Sequence, residues 1–133
     1  MIEIPRICRY CGNPVVFTSN AEVYGKEYGN GKCYLCRNCG AYVGVHTGTC
    51  TPLGTMANDN LRMWRKFAHT EFDRLWKGPD RVTTRGNAYS KLAESLGLRK
   101  CDTHIALFEM EQCQQTIAFA RGFLHMYSNV TEG

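Results

Sequence analysis

The stretch that decides the N-terminal fold is the pair Cys8-Arg-Tyr-Cys11-Gly12 and Cys36-Arg-Asn-Cys39-Gly40. Each is Cys-x2-Cys followed by glycine. Tetrahedral zinc takes four thiolates well, and Cys-x2-Cys presents two sulfurs to one ion from a single tight turn. Such a turn needs a residue that tolerates positive φ, and glycine does so without steric cost. The twenty-four residues between Cys11 and Cys36 are enough for a hairpin excursion. This spacing predicts a zinc ribbon holding one structural Zn2+ on Cys8, Cys11, Cys36 and Cys39. Cys33-x2-Cys36 is a rival pairing, but Arg37 follows it rather than glycine, so Cys39 fits better. Exchange of a ligand to Cys33 stays open.

The residues around these knuckles read as short strands. Val15-Val16-Phe17-Thr18, Glu22-Val23-Tyr24, Tyr34-Leu35 and Ala41 to Val45 are β-branched or aromatic runs. Gly25, Gly29 and Gly31 mark loops among them. After residue 55 the period changes. Ala57, Leu61, Trp64, Ala68, Phe72 and Leu75 recur at helical steps, with Asn58 as N-cap and Gly78-Pro79 as the stop. A second helix is predicted from Thr84 to Leu96, with Tyr89, Leu92, Ala93 and Leu96 inside and Gly97 as C-cap. A third is predicted from Glu109 to Tyr127, with Met110, Cys113, Ile117, Ala120 and Leu124 inside. The polar tail Ser128 to Gly133 is expected to fray.

The expected fold is therefore α+β: a zinc ribbon with short antiparallel strands over 1–50, followed by a three-helix region over 51–133. The turn-rich segment Gly48 to Gly54 lies between them. About 48 β residues are too few for an independent apolar core. The two halves are expected to dock as one structural unit.

Composition narrows the class further. The 133-residue chain is 44% hydrophobic and 21% charged, which excludes a disordered chain, a collagen and a coiled coil. The longest apolar runs are only a few residues, as in Ile105-Ala106-Leu107-Phe108, so no transmembrane helix is expected. The start MIEIPRICRYCG has no apolar core behind a charged segment, so no secretory signal is expected and the location expected is cytoplasmic. Cys50, Cys101 and Cys113 should then be free thiols. Net charge is +4, divided as +2 over residues 1–50, +5 over 51–100 and −3 over 101–133. That asymmetry fits an anionic partner for the middle segment, and equally fits the two halves packing on each other.

Several motifs together resemble a known family. They are Cys8-x-Tyr10-Cys11-Gly12, Leu35-Cys36-x2-Cys39-Gly40-Ala41-Tyr42-Val43-Gly44-Val45-His46, Pro52-Leu53-Gly54-Thr55 and Leu61-Arg62. They continue with Ala68-His69-x2-Phe72-Asp73-x-Leu75-Trp76, Arg85-x2-Ala88-Tyr89-x2-Leu92 and His104-Ile105. The chain resembles, from about residue 8 to 118, a zinc-finger-containing domain family of unknown function from bacteria and their phages. The resemblance implies a zinc-bound N-terminus and a helical C-terminus. It brings no known activity.

Polar residues supply the functional candidates. Asn58, Arg62, Lys66, His69 and Asp73 step along one side of the first long helix, with Arg65 beside them and Arg81 and Arg85 following. Arg62, Arg65, Lys66, Arg81 and Arg85 are candidate phosphate ligands. Tyr10, Tyr34 and Tyr42 are candidates for stacking unpaired bases. The plain alternative is a solvated face with ordinary i,i+4 pairs. His46, His69, Asp73 and His104 are the groups able to serve as general acids, bases or ligands of a catalytic metal. His46-x3-Cys50 with Cys101-x2-His104 has spacing permissive for a second metal site. No phosphate loop, HExxH or nucleophile elbow is present. The leading reading is a non-enzymatic, zinc-stabilised nucleic-acid-binding or interaction protein. The runner-up is a small metal-assisted nuclease or other phosphoryl-transfer enzyme. A third reading is a binder of a host protein or a small nucleotide.

Overall fold

The computed structural model describes residues 3–29 and 31–132, with side chains through Tyr127. It is α+β. Three short strands, β1 (Val16–Ser19), β2 (Lys32–Leu35) and β3 (Tyr42–Gly44), form an antiparallel sheet in the order β1-β2-β3. Val16 pairs with Leu35 across the first ladder, and Cys33 stands between Thr18 and Gly44. Four helices complete the order: α1 (Ala21–Tyr24), α2 (Asp59–Asp73), α3 (Arg85–Leu96) and α4 (Met110–Glu132). Two single 3₁₀ turns, Lys100–Asp102 and Ile105–Leu107, connect α3 to α4.

The chain divides into two compact units, one ending at Arg62 and one beginning at Met63. In the first, the segment between β3 and α2 belongs to the ribbon. Val45 bridges Pro52, Tyr42 bridges Ala57, and the Tyr34 hydroxyl donates to the Cys50 carbonyl at 2.6 Å. The core there is Cys8, Tyr34, Cys36, Ala41, Val43, Val45 and Met56, with Val15 packed against it. Two of its members are zinc-ligand candidates, so apolar burial and metal binding draw on the same residues.

One expected strand is absent. Glu22-Val23-Tyr24 lies in α1, a single helical turn. The reason is Asn20, which is buried. Its side-chain Nδ2 donates to the Tyr28 carbonyl at 2.7 Å and its Oδ1 accepts from the Tyr28 N–H at 3.0 Å. Its own carbonyl accepts from Val23 and Tyr24. An asparagine that satisfies two backbone groups of one loop favours a turn over a ladder. Gly25, at φ 86°, closes the turn.

The helices follow their apolar periods. Ala68, Phe72 and Leu75 are fully buried, as are Ala88 and Leu92 on α3 and Cys113 on α4. Asn58 caps α2 by accepting from the Leu61 N–H at 2.9 Å. That helix stops at Asp73, before the glycine-proline pair. The Asp73 carbonyl accepts from both Trp76 and Lys77, and the Leu75 carbonyl accepts from Val82 and Thr83. The returning chain thus takes up acceptors that a further helical turn would use. On α4, Met110 is exposed rather than internal, because the buried stripe begins only at Cys113 and continues through Thr116, Ile117, Ala120 and Phe123. The helix also runs on to Glu132, past the point where fraying was expected. Among the described residues, no helix is long and apolar enough to cross a membrane.

Candidate metal centre and polar clusters

Two matching turns build the metal centre. In the first, the Gly12 N–H donates to the Cys8 carbonyl at 2.9 Å and the Cys8 N–H to the Asn13 carbonyl at 2.8 Å. In the second, Gly40 donates to Cys36 at 2.8 Å and Cys36 to Ala41 at 2.9 Å. Gly12 and Gly40 have φ of 77° and 82°, the left-handed region that the knuckles require.

These turns bring the Sγ atoms of Cys8, Cys11, Cys36 and Cys39 all within 4.8 Å of one another. The separations are 3.5 Å for Cys8 to Cys39 and 3.4 Å for Cys11 to Cys36. Zinc–sulfur bonds of about 2.3 Å in a tetrahedron put sulfurs roughly 3.8 Å apart, so the donor set and spacing fit one structural zinc ion. The surroundings favour thiolate at one corner. Asn13 donates from Nδ2 to Cys11 Sγ at 3.4 Å and, with further hydrogen bonds, lowers the Cys11 pKa to about 6. The Ala41 N–H also favours the Cys39 thiolate, but the neighbouring thiols and burial outweigh it and push Cys39 up to about 12. Four thiolates at this distance need a cation among them. Cys33 lies outside the cluster, buried within β2, and burial raises its pKa.

Among the described residues, the ribbon cysteines are the one group of three or more potential ligands gathered together. His46 and Cys50 are exposed in the first unit, and Cys101 and His104 are exposed in the second.

Three of the candidate cations, Arg62, Arg65 and Arg81, have partners of their own. Arg62 lies 3.8 Å from the Tyr42 ring centroid, donates to the Ala57 carbonyl at 2.6 Å, and pairs with Asp59. Arg65, only 11% exposed at its side chain, donates from Nε to the Phe108 carbonyl at 2.9 Å and sits 3.9 Å from Glu109. Arg81 donates to the Gly78 carbonyl at 3.1 Å. Lys66 is exposed. Of the stacking candidates, Tyr34 is buried against Phe17, whereas Tyr10 is exposed beneath Arg9.

Two constellations emerge that spacing alone did not reveal. The first surrounds Tyr42. Tyr24 meets Tyr42 and Tyr28 edge-on, at centroid distances of 5.9 and 5.6 Å, and the Tyr24 and Tyr42 hydroxyls are hydrogen-bonded at 2.9 Å. Lys26 lies 5.1 Å from the Tyr28 ring. Burial and the Tyr24 hydroxyl push the Tyr42 pKa up to about 12, against the pull of Arg62. Tyr24 was read as a strand residue, and no sequence signal marked Tyr28. The second constellation is in the other unit. His69 and Asp73 interact one turn apart on α2, and Arg85 lies 5.5 Å from the Trp76 ring and 4.8 Å from the Tyr89 ring. Tyr89 packs edge-on against Phe72 at 4.7 Å. Asp73 Oδ1 and Trp76 Nε1 are both shut off from solvent without a hydrogen-bond partner. A buried polar atom left unpaired costs on the order of 1–3 kcal/mol. Sequence reasoning had selected His69, Asp73 and Arg85. Trp76 carries no functional signal in the sequence, and Tyr89 falls on the apolar stripe of its helix.

A four-thiol ribbon joined to a helical region defines a zinc-finger class of protein. A model of the zinc-finger-containing domain family matches residues 4–122, so the chain belongs to that family. No curated protein and no solved structure matches the chain.

Proposed function

We propose that this protein binds single-stranded nucleic acid through the aromatic face of its first unit. The observation that carries the reading is the contiguous set Tyr24, Tyr28 and Tyr42, with Lys26 and Arg62 over its rings. Tyr24 and Tyr28 are 49% and 50% exposed. Rings placed only for packing are normally covered, whereas these stand half in solvent. Stacking of a base on an aromatic side chain is worth about 1–3 kcal/mol and accepts any base. The neighbouring cations suit the phosphates that accompany those bases. The zinc ribbon supplies a rigid support for the rings.

The test is fluorescence anisotropy with labelled single-stranded RNA, single-stranded DNA and duplex, each at low and at physiological salt. Single strands are expected to bind more tightly than duplex, and affinity is expected to fall with salt. Tyr28→Ala should weaken binding by about tenfold. Lys26→Ala should lower the salt slope by roughly one unit if it meets one phosphate. Absence of binding to any of the three at low salt would remove this reading.

A further inference from the structure

We propose that Glu22 and Arg37 are positioning residues for the aromatic face, tying α1, and with it Tyr24, to the second zinc knuckle. This deepens the nucleic-acid reading above and rests on it. Arg37 stands inside that knuckle, between Cys36 and Cys39. Its Nε donates to Glu22 Oε2 at 3.0 Å and its Nη2 to Glu22 Oε1 at 2.7 Å. The Thr18 hydroxyl, on β1, donates to Glu22 Oε1 at 2.6 Å. One carboxylate on α1 thus joins a strand, a helical turn and a metal knuckle. Arg37, with Thr18, holds that carboxyl down to about 2.

The helical turn needs such a tie. It is four residues long and buries none of them, so apolar packing holds it only weakly. Asn20 fixes the course of its backbone through Tyr28, but those bonds stay within the connection from β1 to β2. Tyr24 lies two positions after Glu22, and its hydroxyl meets that of Tyr42 at 2.9 Å with the rings edge-on. Tyr42 lies three positions after Cys39 and begins β3, so the same knuckle places it through the chain. Both rings therefore take their position from one metal centre, Tyr42 by sequence and Tyr24 by the ion pair. An arginine fork suits this task, because two parallel bonds to a carboxylate fix direction as well as distance. Both side chains reach solvent, where an ion pair adds little to stability, so its contribution here is orientation.

The experiment uses the full zinc-loaded chain and a labelled all-uridine RNA, followed by anisotropy. Glu22→Gln, Arg37→Gln and the double variant are compared with the wild type. Each single variant is expected to bind about two- to fivefold more weakly. The double variant should bind no more weakly than either, because each change breaks the same tie. Charge alone makes a different forecast. Without a positioning role, Glu22→Gln removes an anion beside the phosphates and tightens binding, Arg37→Gln weakens it, and the double variant returns to the wild-type value. That pattern overturns the proposal and leaves the nucleic-acid reading in place, as does unchanged binding in Glu22→Gln. Elemental analysis and thermal melting confirm that the variants hold one zinc and fold. Should Arg37→Gln lose its metal, Glu22→Gln decides by the sign of its effect. A second measurement needs no RNA. The Val23 and Tyr24 amides donate to the Asn20 carbonyl, and their hydrogen exchange should quicken in both single variants while that of Gly12, in the first knuckle, stays as in the wild type. Unchanged exchange at Val23 and Tyr24 overturns the proposal. Faster exchange there, in a chain whose wild type binds no nucleic acid, supports the tie and overturns the nucleic-acid reading.

Discussion

Gly12 and Gly40 show what a single residue contributes. Nothing lies within 4 Å of where a Cβ would stand at either position, so the cost of a side chain there is purely that of positive φ. Gly40→Ala should lower the stability of the zinc-loaded protein by about 1–2 kcal/mol in denaturant titration. Gly40→Asn should cost less, since asparagine tolerates that conformation. Cys36→Ser acts differently, because it removes a buried thiolate and metal-binding energy is folding energy in a unit this small. Elemental analysis should fall from one zinc per chain in the wild type to a small fraction of one.

His69 carries a pH dependence at the same scale. Its side chain reaches solvent, yet desolvation of the ring lowers its pKa, outweighing Asp73, with Arg85 adding to the effect. The folded chain therefore resists protonation while the unfolded chain takes up a proton near the ordinary value of 6.5. Stability falls as pH drops through that value and levels off below the folded one. Melting curves of the wild type and His69→Gln, compared between neutral and mildly acid pH, should show a smaller loss in the variant.

At the scale of elements, α3 has the clearest boundaries. Thr84 accepts from the Asn87 N–H at 3.2 Å, and Gly97, at φ 69°, ends the helix with its N–H directed at Ala93 and Glu94. Both were legible because a threonine before the helix and a glycine after it are backbone requirements set by neighbours in sequence. Thr84→Ala should cost about 1 kcal/mol, measured by thermal unfolding. α1 was misread for the opposite reason. The residues of Glu22-Val23-Tyr24 alternate like a strand, and only the bonds from Asn20 to Tyr28, eight positions away, turn them into a helix. The end of α2 was placed too late on similar grounds, because Val82 and Thr83 return to the Leu75 carbonyl from beyond the glycine-proline pair.

At the scale of the whole molecule, the cysteines sort into classes that alkylation can count. All eight are free of disulfides in the structure. Cys50 and Cys101 are exposed, while Cys33 and Cys113 are buried and burial raises both of their pKa values. The zinc-loaded native protein should label at two positions, Cys50 and Cys101, as read by mass spectrometry. Chelation should add the four ribbon cysteines and also Cys33, because the first unit packs its core around Cys8 and Cys36. Cys113 should stay protected until the helical unit unfolds. Protection of Cys33 that persists after zinc removal would show that the sheet does not depend on the metal.

The sequence by itself determined the four zinc ligands, the glycine behind each pair, the change from strand to helix after residue 55 and the apolar faces of three helices. Each is a short-range property, since ligand spacing, positive φ and a 3.6-residue period are read within a few positions of one another. Tertiary structure alone decided which polar residues meet. Arg65 looked like a free cation on a helix face, but it is spent on the Phe108 carbonyl, forty-three positions away. Tyr34 looked like a stacking ring and is core. Tyr24, Tyr28 and Tyr42 assemble across a turn and a sheet, and only packing shuts Asp73 Oδ1 and Trp76 Nε1 off from solvent without a partner. Burial and partnership are properties of packing, and no local pattern in the chain encodes them.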